Sequence, residues 1–140
     1  MAGDADVDRQ ATFPMITPRE TKKIDFDDEV LARLRTLCLA LPETTEAGSW
    51  GHPNFRAGKR TFVTYEIVDA RPSIAFRLEP DEVRDFLIMK DFFPTPYGRG
   101  AWVSLGVTKR ISWRLVGAII ERSYRVVALK RMIDRLDGIS

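Results

Sequence analysis

Catalysis by a nucleophile needs a base beside it. This chain holds one histidine, His52, and one cysteine, Cys38. Cys38 falls on the apolar stripe of a helical stretch, so a Cys38–His52 dyad would need that helix turned inside out. A core thiol is the simpler reading. Ser49 precedes His52 in SWGH, but no G-x-S-x-G turn surrounds it. One His and one Cys do not make a zinc tetrahedron, and neither H-x-x-x-H nor C-x-x-C spacing occurs. The glycine loops that cradle phosphates, G-x-G-x-x-G and G-x-x-x-x-G-K-[ST], are absent. Glu43 and Glu46, beside Pro42, read as loop acids. No catalytic group, metal or cofactor is expected.

The remaining chemistry is cationic and aromatic. Arg56, Lys59 and Arg60 straddle Ala57-Gly58, a hairpin tip between Phe55 and Phe62, and Arg71 marks a second tip. Arg99 sits in a glycine-rich loop ahead of Trp102. Lys109 and Arg110 precede the last long helix, with Arg114 one turn inside it. Cations at loop tips reach phosphates, and exposed aromatic rings stack on bases or wedge into a groove. The free N–H groups that begin the last long helix favour an anion, whereas Glu121 and Arg125 neutralise one another farther along it. The expectation is that these side chains gather on one side to meet a polyanion. The plainer alternative is that the tips are charged for solubility and that Trp50 and Trp102 are packed.

The charge distribution supports a basic surface. The net charge is +2, yet residues 1–30 carry eight acids and four bases. Between Arg99 and Arg135 nine bases face only Glu121 and Asp134. An acidic leader could fold back on the basic part and compete with a polyanion. The 140 residues suit one domain with a real core. No apolar run approaches the roughly 20 residues that span a bilayer, and the acidic start is unlike a secretory signal. A lone cysteine rules out an internal disulfide and fits a reducing cytoplasm.

These side chains must be positioned by a small set of elements. Residues 1–24 show no apolar period and read as a flexible acidic leader; residues 25–140 form the domain. In DFDDEVLARLRTLCLALP the apolar positions recur at helical spacing, Asp25 or Asp27 can cap the first turn, and Pro42 ends it. Phe62–Val68 reads as a strand covered on both faces, Asp69-Ala70-Arg71-Pro72 as a turn, and SIAFRLE as a half-buried strand. Pro80 opens a second helix. DFFPTPYGRGA, with two prolines and two glycines, is expected to be irregular and to lead into a strand, AWVSLGV. A helix from about Ser112 to Leu129 has an inner stripe of Val116, Ile119, Ile120, Ser123 and Val127. Lys130–Leu136 either continues it or adds a short turn. The fold class is α+β, with helices on an antiparallel sheet.

Several motifs carry a resemblance. LPETTEAGSWGHPNFRAGKRTFVT, YGRGAWVSL and SYRVVALKRM stand in the order and spacing of the MmcQ/YjbR family, whose members show LP…TE…WGHPxFRV…GKxFA, GRGWVxL and SYRLVAPKRL. The similarity runs from about Val30 to Met132. It implies a layout of α-β(3)-α-β(2)-α, related to secretion chaperones and frataxin-like proteins. It also implies a non-enzymatic, cytoplasmic, double-wing DNA-binding protein. The positions carried over are Trp50, Gly51, His52, Pro53, Phe55, Gly58, Lys59, Phe62, Gly100, Trp102, Ser123 and Tyr124. Leu129 stands where relatives often have proline, so the last helix is expected to run on without a kink. Ala57-Gly58-Lys59 shortens the first wing.

His52 and Pro53 then form the corner feeding the hairpin, with the imidazole hydrogen-bonded locally or stacked on Trp50. The alternative is a ligand pocket lined by Trp50, His52 and Trp102. A third class, a peptide-binding adaptor on the chaperone-like fold, predicts an exposed apolar groove or dimer face.

Overall fold

The computed structural model describes residues 28–48 and 51–139. The leader, its caps at Asp25 and Asp27, and Trp50 lie outside the described residues. The chain runs α1 (Asp28–Leu39), β1 (Thr44–Ala47), β2 (Asn54–Ala57), β3 (Arg60–Val68), β4 (Arg71–Arg77), α2 (Pro80–Leu87), β5 (Phe92–Pro94), β6 (Trp102–Gly106), α3 (Trp113–Val127) and α4 (Lys130–Leu136). The strands form one antiparallel sheet in the order β1-β2-β3-β4-β6-β5.

Residues paired across strands share a face of the sheet, so the register divides the side chains. One face carries Phe55, Val63, Phe76 and Val103 in one row and Tyr65, Ile74, Leu105 and Phe92 in the next. All of these except the half-buried Phe92 belong to the buried core. Helices α1 and α3 close this face with Val30, Leu34 and Cys38 from α1 and Val116, Ile119, Ile120, Ser123 and Val127 from α3. Phe62 meets Tyr124 edge to face at 5.7 Å, and Phe86 of α2 meets Phe92 at 5.2 Å. Ser112 caps α3 by accepting from the Leu115 N–H at 3.2 Å. Pro80 occupies the first turn of α2, followed by Asp81 and Glu82 at the positive end of its dipole.

Three local expectations are corrected. Thr44–Ala47, read as loop, is an edge strand whose β-branched threonines pair with β2. Phe92–Pro94, expected to be irregular, is a three-residue strand. It lies at the sheet edge and pairs with β6 alone, a place where proline is tolerated. The last helix does not run through Leu129. Ala128 and Leu129 are extended, with ψ of 151° and 156°, and α4 starts afresh. On one continuous helix Val127 and Met132 would stand about 140° apart, and the break lets both enter the core, where they are 3% and 1% exposed.

Candidate functional site

Among the described residues no helix packs on the second face of the sheet, which is polar. Its register rows join Asn54 to Thr64 and Ala75, Arg56 to Thr61, Glu66 to Ser73, Ala75 to Ser104, and Arg77 to Trp102. Thr61 and Thr64 are an odd number of residues apart yet share this face because β3 carries a bulge. Phe55 pairs with Val63 and Arg56 with Thr61, leaving Phe62 as the extra residue. The bulge sends both Phe62 and Val63 to the helix side.

The β5–β6 loop folds over this polar face. Thr95 and Ser104 hydroxyls lie 2.7 Å apart. Although 43% of Tyr97 is exposed, its hydroxyl donates to Glu66 Oε2 at 2.7 Å and lies 3.4 Å from Thr64. Burial first, and then the Glu66 carboxylate, raise the Tyr97 phenol above its ordinary range, so it remains the donor of this pair. Trp102 packs against the Tyr97 ring at 5.9 Å. Gly98, at φ +83°, permits this, since a Cβ there would fall 2.2 Å from the indole Cδ1. From the other side His52 brings Nε2 to 3.7 Å from Glu66 Oε1. Its Nδ1 is buried without a hydrogen-bond partner among the described residues. Between these groups lies a cleft of about 450 Å³, walled also by Asn54, Arg56, Thr61 and Thr64.

A corner and a cleft are both present at His52, while its expected stacking on Trp50 lies outside the described residues. The Pro53 carbonyl accepts from the Tyr65 N–H at 3.0 Å and fixes the corner, while the imidazole lines a cleft with Trp102 instead of being consumed by a local hydrogen bond. Cys38 is far from this chemistry, within the core on the helix side. Burial pushes its thiol well above the ordinary range. Among the described residues no three His, Cys, Asp or Glu side chains gather as metal ligands.

The cations divide into two groups. Lys59 and Arg60 sit at the β2–β3 hairpin, and Arg99 precedes β6 at the same end, where Trp102 pairs with Arg77. Arg71 follows the β3–β4 turn at the opposite end, where Gly106 pairs with Ser73 and the chain continues to Lys109, Arg110 and Arg114. The eight residue steps of β3 put these ends about 26 Å apart. Arg56 stands on the cleft wall, and the Arg71 guanidinium covers the Phe93 ring at 4.2 Å. The expected single patch is thus two patches. Glu121 does accept from Arg125, which also holds Asp137.

Several positions carried over by motif have structural roles. Gly51, Gly58 and Gly100 all have positive φ, Phe55 and Phe62 are core, and the buried Tyr124 donates to the Pro42 carbonyl at 2.7 Å. Ser123 is buried on α3. Glu66, Tyr97 and Thr64 were not singled out by sequence reasoning. The available signal was a glutamate inside a strand that read as covered on both faces, since a buried carboxylate needs a partner.

The YjbR family model matches residues 39–126, from the end of α1 through most of α3. This chain belongs to the YjbR family. The YjbR domain is similar in fold to a Deinococcus radiodurans protein, DR2400, described as a DUF419 domain, with a TM-score of 0.62 and 17% identity over 79% of this chain and 88% of that one. It is also similar to a Pseudomonas syringae protein at a TM-score of 0.60 and 11% identity, over 73% and 98% of the two chains. No curated protein matches significantly. Among the described residues of this YjbR chain, no helix is long and apolar enough to cross a membrane.

Proposed function

We propose that this YjbR-family protein is a non-enzymatic, cytoplasmic DNA-binding protein that holds phosphates at both ends of its sheet and reads little base sequence. One observation carries the reading. Lys59, Arg60 and Arg99 at one end, and Lys109, Arg110 and Arg114 at the other, have no carboxylate partner among the described residues. By contrast Arg35, Arg84, Arg122, Arg125, Lys130 and Arg131 each pair with an acid and are spent on the fold. The second group also stands beside the start of α3, whose first N–H groups lack helical acceptors. The separation of about 26 Å equals roughly eight base pairs at about 3.4 Å each, so a duplex lying along the strands touches both ends.

Binding of this kind releases counterions. If each of these cations meets a phosphate, log Kd against log salt has a slope near 5 in magnitude, and affinity falls about a thousandfold between 50 and 200 mM salt. Fluorescence anisotropy of labelled duplex DNA across a salt series measures this. Salt-insensitive affinity, or none at the lowest salt, would overturn the reading.

A further inference from the structure

The cleft on the polar face contains a buried carboxylate whose hydrogen-bonding capacity is largely unused. An ionised carboxylate offers about four acceptor sites. Among the described residues one hydrogen bond reaches Glu66, from Tyr97, and His52 Nε2 at 3.7 Å is too far for a second. The Glu66 side chain is only 8% exposed, and buried polar groups are ordinarily satisfied. A further partner for Oε1 is a donor, and it reaches Glu66 through the cleft that this side chain lines. Beside Glu66 stands the Thr64 hydroxyl, and across the cleft lies the half-buried face of Trp102, held in place by Gly98 and Tyr97. An acidic acceptor opposite an indole selects a planar molecule with N–H groups on one edge. A cleft of about 450 Å³ lies within the range of small-ligand sites, about 300–1,000 Å³.

We propose that this cleft binds a nucleobase, stacked against Trp102 with its donor edge on Glu66, and that it prefers guanine. Guanine presents two adjacent donors, N1–H and the N2 amine, to a single acceptor group. Thymine presents one N–H flanked by two carbonyl oxygens, which a carboxylate repels. Adenine and cytosine fall between, each offering one amine next to a ring acceptor. Aromatic stacking accepts every base and so supplies affinity, while Glu66 supplies the choice. The base can belong to a free nucleoside or to an unpaired position of a strand. The inference does not rest on phosphate contacts, because a nucleoside has none.

Calorimetric titration of the full chain with guanosine and with thymidine tests it. Guanosine should bind at submillimolar Kd, with thymidine at least tenfold weaker, a preference that needs no variant to read. Glu66→Gln should weaken guanosine at least tenfold and narrow that preference, while Trp102→Leu should weaken both nucleosides alike. A single-stranded oligothymidine with one central guanine separates the two sources. Binding tighter than that of an all-thymidine strand of the same length assigns the site to a base within a strand, and equal affinity of the two strands, with guanosine bound, assigns it to the free nucleoside. Equal affinity for guanosine and thymidine, or no heat from guanosine and from the guanine-containing strand at about 1 mM ligand, would overturn the proposal. The polyanion reading would survive that outcome, since it is measured by salt dependence on duplex DNA.

Discussion

Asp69 and Ala70 join β3 to β4 with φ of 50° and 64°, the two left-handed positions of a tight hairpin in which glycine or asparagine is usual. An alanine there costs about 1 kcal/mol relative to glycine. Ala70→Gly should therefore raise stability by about that amount, visible as a higher Tm; a lower Tm would mean that the turn is not under this strain. The opposite case is Gly98, whose missing side chain makes room for the Trp102 indole. Gly98→Ala should displace that ring and its contact with Tyr97, seen as a shift of the Trp102 indole N–H resonance, with the helix-side core unchanged. An unmoved resonance would contradict the packing. The turn at Asp69-Ala70 and the core role of Cys38 were legible from residue types alone. The need for Gly98 was not, because it depends on a ring that returns four residues later.

Elements here are tied together by carboxylates as well as by apolar stripes. Glu43, between α1 and β1, receives two hydrogen bonds from Arg131 of α4, at 2.7 and 3.2 Å. These bonds, helped by the charges of Arg131 and Arg135, hold its carboxyl below the ordinary range. Asp137, just past α4, is held low by Arg125 in the same way. A carboxyl with a depressed folded pKa adds stability above the unfolded value, about 4, and loses it as pH falls through the folded value. The anchoring of α4 should therefore weaken below about pH 4 and not in alkali. In Arg131→Met the Glu43 titration, followed by carbon NMR, should move up toward the ordinary carboxylate value. A titration that stays put would show that Arg131 is not the cause. Periodicity located α1, α2, α3 and the central strands, because each buries a stripe or an alternating face. It missed β1 and β5, which are short and sit at the edges. The Thr61–Thr64 alignment was equally hidden, since a bulge changes the period only within a paired sheet.

At the scale of the whole molecule, the apolar side of the sheet carries the core and the other side carries the cleft. Among the described residues the exposed large apolar side chains are spread over separate segments: Leu39 at the end of α1, Ile88 and Met89 beyond α2, Tyr97 in the β5–β6 loop, Leu129 between α3 and α4, and Ile139 near the end. Among the described residues Lys59, Arg60, Arg99, Lys109, Arg110 and Arg114, which have no carboxylate partner, instead collect at two ends of one sheet. Sequence reasoning found each of these cations but placed them together, because strand direction decides which hairpin tips coincide, and direction follows from pairing. Charge reversal at the two ends separates a duplex that spans the sheet from one that uses a single tip. In anisotropy titrations with duplex DNA, Lys59→Glu/Arg60→Glu and Lys109→Glu/Arg110→Glu should each weaken binding and each lower the salt slope by about 2. Wild-type affinity and slope in both double variants would contradict the account.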